Sequence, residues 1–160
     1  MPKAHYPGPE FPAPVAVTVN YPPAGWEPIK VPEAHLSIGS TTTTSSQFRA
    51  NVVVTSKRTN QITLAAAAQA TVQQLESSPE WGEALREFRP GLGGYECFRI
   101  EGAFSHPQAG TLYQAAEITV VARGPYVDVV QLVGTCSASQ TESLLPQIRT
   151  MLAEAKLYEV

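Results

Sequence analysis

Between Tyr95 and Cys136 the chain alternates apolar and polar residues over three successive runs with turn residues between them. In the first run, Phe98 and Ile100 fall on one side and Cys97, Arg99 and Glu101 on the other. In the second, Thr111 to Arg123, the residues Leu112, Ala116, Ile118, Val120 and Ala122 share a face. Tyr113, Glu117, Thr119 and Arg123 share the opposite face, because side chains alternate across a strand. The third run follows a tight turn at Arg123-Gly124-Pro125-Tyr126. This pattern predicts an antiparallel sheet with one face on a core and the other largely polar.

Upstream, short β-branched or apolar stretches at His35–Gly39 and Phe48–Thr55 predict strands. The Thr and Ser run from Thr41 to Ser46 between them predicts a polar hairpin loop. At Thr63 the period changes. Leu64, Ala68, Val72 and Leu75 recur at helical spacing, with Thr63 as cap and a stop near Ser77-Ser78-Pro79. Pro79 to Phe88 reads as a second, short helix with Trp81, Leu85 and Phe88 on one side. Arg89 to Gly94 is a turn cluster between a helix and a strand, the wrong order for a phosphate-cradling loop. A closing helix carries Leu144, Leu145, Ile148, Leu152 and Ala155 on one stripe. Pro146 suits only a first turn, which places the N-cap at Thr141 to Ser143 and leaves the capping-box spacing of Ser139-Gln140-Thr141-Glu142 as a looser entry. The order β-β-β-α-α-β-β-β-α specifies an α+β domain on an antiparallel sheet of about six strands flanked by helices.

The domain is expected over residues 25–160, with Trp26 anchoring its start. Residues 1–24 hold seven prolines and are expected to form an extended, mobile arm. Pro9 to Pro12 satisfies PxxP, a spacing that any segment so rich in proline produces, and a plain tail is preferred. At 160 residues one domain is expected, large enough to bury roughly 70% of its unfolded surface. Hydrophobic content of 43% fits a soluble protein.

The net charge of −3, with basic residues scattered, argues against a nucleic-acid partner. The densest basic group, Lys57-Arg58, reads as a strand end meeting water. No apolar run reaches the length of a signal segment or a membrane span, so a cytoplasmic location is expected. With Phe104 opposite Thr111 and Arg123 opposite Tyr126, Cys97 and Cys136 stand about 16 Å apart along the strands. A disulfide needs Cα atoms within about 7 Å, so free thiols are expected.

Catalytic chemistry is sparse. Asp128 is the one aspartate, and His5, His35 and His106 share no metal-ligand spacing. No nucleophile elbow, HExxH, phosphate loop or dinucleotide fingerprint is present. His106 could act as a loop base, and Arg99 could lower the thiol pKa of Cys97 to serve a small hydrolase. A solvated loop histidine and an inert thiol are preferred, with no catalytic residue, metal or cofactor assigned.

The segments so far described resemble the actinobacterial LpqN/LpqT proteins. The resemblance rests on the start near Trp26, the strand Ala50-Asn51-Val52-Val53-Val54 with its following helix, and the Gly93-Gly94 turn. It rests further on Phe98-Arg99-Ile100-Glu101-Gly102, the long hairpin ending near Cys136 and the short last helix. It spans roughly residues 25–158 and is similar to the broader PsbP-like fold, which implies an α/β/α sandwich. The resemblance implies a non-catalytic accessory or binding protein, for members of the family are lipoproteins linked to trehalose-glycolipid handling and cell-envelope transport. The chain departs from them in having no cysteine before Cys97. Other PsbP-like domains are partners of proteins, cytosolic secretion chaperones among them, which supplies a second implied role.

The expected partner is therefore a protein or an amphipathic small molecule. Arg99, Glu101, Tyr113, Glu117 and Arg123 form a polar sheet face, read first as solvated with weak charge pairing. Its functional reading is a groove between that face and the 79–90 helix, lined by Trp81, Phe88 and Tyr113.

Overall fold

The computed structural model describes residues 1–44 and 48–159. The strands are β1 (Ala16–Thr18), β2 (Trp26–Pro28), β3 (Leu36–Ser40), β4 (Asn51–Thr59), β5 (Gly82–Gly91), β6 (Tyr95–His106), β7 (Gly110–Arg123), β8 (Tyr126–Ser137) and β9 (Lys156–Tyr158). Helix α1 (Leu64–Glu76) lies between β4 and β5, and α2 (Thr141–Glu154) follows β8 through a 3-10 turn at Ala138–Gln140. Seven strands form one antiparallel sheet in the order β2-β3-β4-β8-β7-β6-β5, while β1 and β9 pair separately. The architecture is the expected α+β arrangement of an antiparallel sheet flanked by helices.

The meander β6-β7-β8 carries the fold. Arg123 pairs with Tyr126 as expected, but Phe104 pairs with Leu112 rather than Thr111. The one-residue difference has a physical reason: it sets Phe98 opposite Ile118 and Ile100 opposite Ala116, so apolar residues share a face. Cys97 and Cys136 are buried and free. The α1 side of the sheet packs Ala67, Ala68 and Val72 onto Phe98, Ile100, Ala116 and Ile118. On the α2 side, Leu145, Ile148, Met151 and Leu152 pack among Val52, Val54, Ala115, Val130 and Leu132. Both faces are thus covered, against the expectation of one polar face.

The segment expected as a short helix is β5, which pairs with β6 from Gly82↔Ala103 to Gly91↔Tyr95 with a bulge between Glu83 and Leu85. Its glutamates, alanine, leucine and arginine favour helix locally. The backbone groups along the outer edge of β6 need partners, and satisfying that row outweighs a modest propensity. The turn cluster becomes the β5–β6 hairpin, with Leu92, Gly93 and Gly94 all at positive φ. Leu92 is fully buried there, and its carbonyl accepts from Leu157 N at 3.0 Å, tying β9 to the hairpin.

The helix ends follow local chemistry. Thr63 Oγ1 accepts from Ala66 N at 3.1 Å, and α1 stops before Ser77 as expected. The capping box falls earlier than its expected place, on Ser137 and Gln140, where Ser137 N donates to Gln140 Oε1 at 3.0 Å. Helix α2 starts at Thr141, so Pro146 lies inside it rather than in the first turn.

Trp26 is buried and its indole N–H donates to Gln147 Oε1 of α2. Of the expected Thr41–Ser46 loop, Thr44 N donates to Phe48 O at 3.0 Å, and Ser45 and Ser46 lie outside the described residues. Along the arm, Pro12 O accepts from Arg58 Nη1 at 2.7 Å and Ala13 O accepts from Arg123 Nε at 3.1 Å. Arg58 is no free strand end: its guanidinium grips buried Asp128 through two hydrogen bonds of 2.9 and 3.1 Å.

Candidate functional site

The residues expected on a solvated sheet face are buried instead. Arg99 is 1% exposed, and Glu101 and Glu117 are 2% exposed each. Alternation along β6 and β7 directs all three to the α2 side, toward the β5 edge. Helix α2 passes over them, and a charge held there persists only if paired.

Glu101 is the hub. Its Oε2 accepts from Arg99 Nε and Nη2 at 3.1 and 3.0 Å. Its Oε1 accepts from Tyr113 OH at 2.9 Å and from Arg149 Nε and Nη2 at 3.1 and 2.8 Å. Glu117 is served less well. Its Oε1 lies 3.7 Å from Arg99 Nη1 and 3.9 Å from Arg89 Nε. Among the described residues, Arg99 Nη1 and Glu117 Oε2 are buried without a hydrogen-bond partner.

These arrangements split the two carboxyls. Burial alone would raise Glu101, but the Arg149 and Tyr113 hydrogen bonds and the Arg99 charge outweigh it and hold the carboxyl below its ordinary range. Burial pushes Glu117 up, and the charges of Arg99 and Arg89 offset only part of that. Burial and the Glu101 hydrogen bond push the Tyr113 phenol up.

A depressed folded value gives stability that is present above the unfolded carboxyl pKa of about 4.3 and is lost as pH falls through the folded value. Glu117 contributes in the opposite sense over the same descent. Glu101→Gln is therefore expected to be less stable than the native chain at neutral pH. It should also lose less stability between about pH 5 and pH 3, as urea midpoints across that window would show.

Arg89, Arg99, Glu101, Tyr113 and Arg149 of the cluster, with Ala84, Leu85, Thr150 and Ala153, line a cavity of about 530 Å³, whereas Glu117 is not part of that lining. A second cavity of about 370 Å³, lined by Tyr21, Pro22, Pro146 and Met151, shares Thr150 with the first.

Of the residues singled out in the sequence, Arg99, Glu101, Tyr113 and Glu117 come together here. Trp81 and Phe88 do not, because β5 is a strand and sends them to the α1 side. Phe88 stacks there on Phe98 with ring centroids 5.0 Å apart, and Trp81 packs on the α1 core. Arg123 lies at the far end of β7 against Ala13 of the arm.

Arg89 and Arg149 were missed. Arg89 sat in a supposed turn, and Arg149 borders the apolar stripe of α2 beside Ile148. The polar face read from the sequence balances two carboxylates, Glu101 and Glu117, with two arginines, Arg99 and Arg123, so it carried no signal for a further cation.

The other candidates occupy structural positions. Burial and the Glu117 charge push the Cys97 thiol up to about 12, which corrects the expectation that Arg99 could lower it. His106 Nδ1 accepts from Gln108 N and Ala109 N at 3.1 Å each and closes the β6–β7 hairpin.

The sequence matches the family described as "Probable lipoprotein LpqN" over residues 8–157, a span that includes most of the arm. Among solved structures, the chain is similar to LpqN of Mycobacterium tuberculosis, described as involved in cell envelope biogenesis. Identity is 17%, coverage 97% of this chain and 88% of that one, and the TM-score 0.79. It is also similar to cyanobacterial PsbP (CyanoP) from Synechocystis sp. PCC 6803, with 12% identity, 99% coverage of both chains and a TM-score of 0.59. No curated protein matches. Among the described residues no helix is long and apolar enough to cross a membrane. The family description, that of a lipoprotein, does not support the cytoplasmic expectation. The chain belongs to the LpqN lipoprotein family and has a PsbP-like fold.

Proposed function

We propose that this chain is a non-catalytic binding protein that holds the polar head of an amphipathic molecule in the cavity between β5–β7 and α2. The carrying observation is an unmet donor on its lining, Arg99 Nη1, set beside the Glu101 carboxylate and the Tyr113 hydroxyl. A hydroxyl both donates and accepts, so a polyol or sugar head accepts from Arg99 Nη1 and donates to the Tyr113 oxygen at once.

The apolar body has a place beside it. Ala84, Leu85 and Ala153 line the cavity, and the neighbouring space at Tyr21, Pro22, Pro146 and Met151 is predominantly apolar. Such a combination suits a ligand with one wet and one dry end. Membership of the lipoprotein family and the likeness to a Mycobacterium tuberculosis protein described as involved in cell envelope biogenesis are in keeping with the reading. The site chemistry supports binding over turnover: Glu101 is committed to five hydrogen bonds, and Cys97 is held as a thiol.

The test is an amide NMR titration with octyl glucoside below its micelle threshold, with glucose and octanol as separate controls. Saturable shifts are expected at Ala84, Leu85, Tyr113 and Thr150, stronger with the glycoside than with either control. Tyr113→Phe, which takes the hydroxyl out of the lining, should weaken binding about tenfold, the loss of one hydrogen bond, with circular dichroism as the check of fold. Unchanged affinity in that variant, or shifts confined to other surfaces, contradicts the assignment.

A further inference from the structure

We propose that two copies of this chain associate edge to edge through β5, in an antiparallel register centred on Phe88, to form one continuous sheet. Strand β5 is the terminal strand of the seven-stranded sheet and has ten residues, whereas the opposite terminal strand, β2, has three. An edge of that length presents a row of backbone donors and acceptors ready to pair. On it Phe88 is 54% exposed, an aromatic ring held in place by Phe98 yet largely open to solvent.

The charge pattern selects a second copy as the occupant. In an antiparallel pair, residues directly opposite one another share a face and interact. A two-fold axis at Phe88 sets Glu87 of each copy opposite Arg89 of the other, and Phe88 opposite Phe88. Within one chain Arg89 Nη1 already donates to Glu87 Oε1 at 3.0 Å, with both side chains about two-fifths exposed. Association therefore closes a square of alternating charge around the axis. The two adjacent registers that keep the faces matched fail: centring on Glu87 opposes two carboxylates, and centring on Arg89 opposes two guanidiniums.

The edge is also guarded at both ends, which makes the association finite. A bulge interrupts the ladder between Glu83 and Leu85, and Pro90 has no N–H to donate. The regular window between them is short, and a two-fold contact uses the same edge on both copies, leaving no free β5 edge for a third. The contact shares Arg89 with the lining of the α2-side cavity but requires no ligand there.

Sedimentation velocity over a range of concentrations tests the contact, with circular dichroism as the check of fold. The native chain is expected to dimerise. Glu87→Arg alone and Arg89→Glu alone should each be monomeric, since each opposes like charges. An equimolar mixture of the two should recover the dimer, because every charged position then meets its opposite. Phe88→Glu, on an exposed side chain, should be monomeric and decides the matter if Arg89→Glu, close to Glu117, fails to fold. A native chain that stays monomeric at every concentration overturns the proposal. So does a dimer that survives Phe88→Glu, or a mixture of two folded charge variants that remains monomeric.

Discussion

Glu101→Leu is expected to lower the unfolding free energy by about 3–5 kcal/mol, the cost of breaking a buried charge pair on one side. The carboxylate accepts two hydrogen bonds from Arg99, one from Tyr113 and two from Arg149. Arg149 is half-exposed and can turn to water once released. Arg99 cannot: its side chain is 1% exposed, and the nearest remaining carboxylate, Glu117, sits 3.7 Å from Nη1. The variant thus buries an uncompensated guanidinium, which is why the loss exceeds that of an ordinary surface pair.

The companion is Arg99→Met/Glu101→Leu, which removes both charges at similar volume. Replacing a buried pair by apolar residues is often neutral, so the double variant should be more stable than Glu101→Leu by about 2 kcal/mol. Urea denaturation at neutral pH measures both. A single variant costing under about 1 kcal/mol, or a double variant less stable than the single, would show that Arg99 is not committed to Glu101.

The second large effect is expected one residue on. A Cβ at Gly102 would lie 2.5 Å from the Gly82 carbonyl oxygen and 2.5 Å from the Trp81 ring. Overpacking costs about 1–3 kcal/mol, and Gly102→Ala should reach the upper end because one of its opponents is backbone that cannot rotate away. Combining it with Trp81→Ala separates the two contacts. Relief of part of the loss assigns that part to the ring, and the remainder belongs to the carbonyl. A loss below about 0.5 kcal/mol in Gly102→Ala would mean that β5 shifts freely against β6.

These two results rest on one pair of neighbours. Glu101 and Gly102 point to opposite faces of β6: the first anchors the charged cluster under α2, the second lets Trp81 and β5 approach on the α1 side. The pair was visible in the sequence as part of a family resemblance. Its two separate functions were not, because they depend on what covers each face.

The central hairpins were legible for a local reason. Alternation at Phe98, Ile100, Ile118 and Val120 is a property of each strand alone, and turn residues mark where the strands end. Segment 79–88 was not legible, since Trp81, Leu85 and Phe88 mimic a helical period and the residues between them favour helix. Only the unsatisfied edge of β6, assembled from a later part of the chain, makes it a strand. That one misreading also carried Trp81 and Phe88 to the wrong face.

The polar face failed for a related reason. Arg99, Glu101 and Glu117 read as solvated because charged residues at alternate positions usually are. Their burial is a matter of tertiary packing, in which α2 lays Ile148, Met151 and Leu152 against β4, β7 and β8, and no pattern within β6 or β7 alone carries it. The helix that buries them also supplies Arg149, so the cover and the missing cation arrive together.

In the proposed complex the charged lining of the cavity takes a hydroxylated head while an apolar body lies along α2. Intermolecular NOEs between octyl glucoside and the protein test this most directly. Contacts are expected from the sugar-ring protons to the Tyr113 ring and from the alkyl protons to the side chains of Leu85 or Met151. Contacts from the alkyl chain to Tyr113 with the sugar facing solvent, or no sugar contact at Tyr113 in a saturated complex, would contradict it.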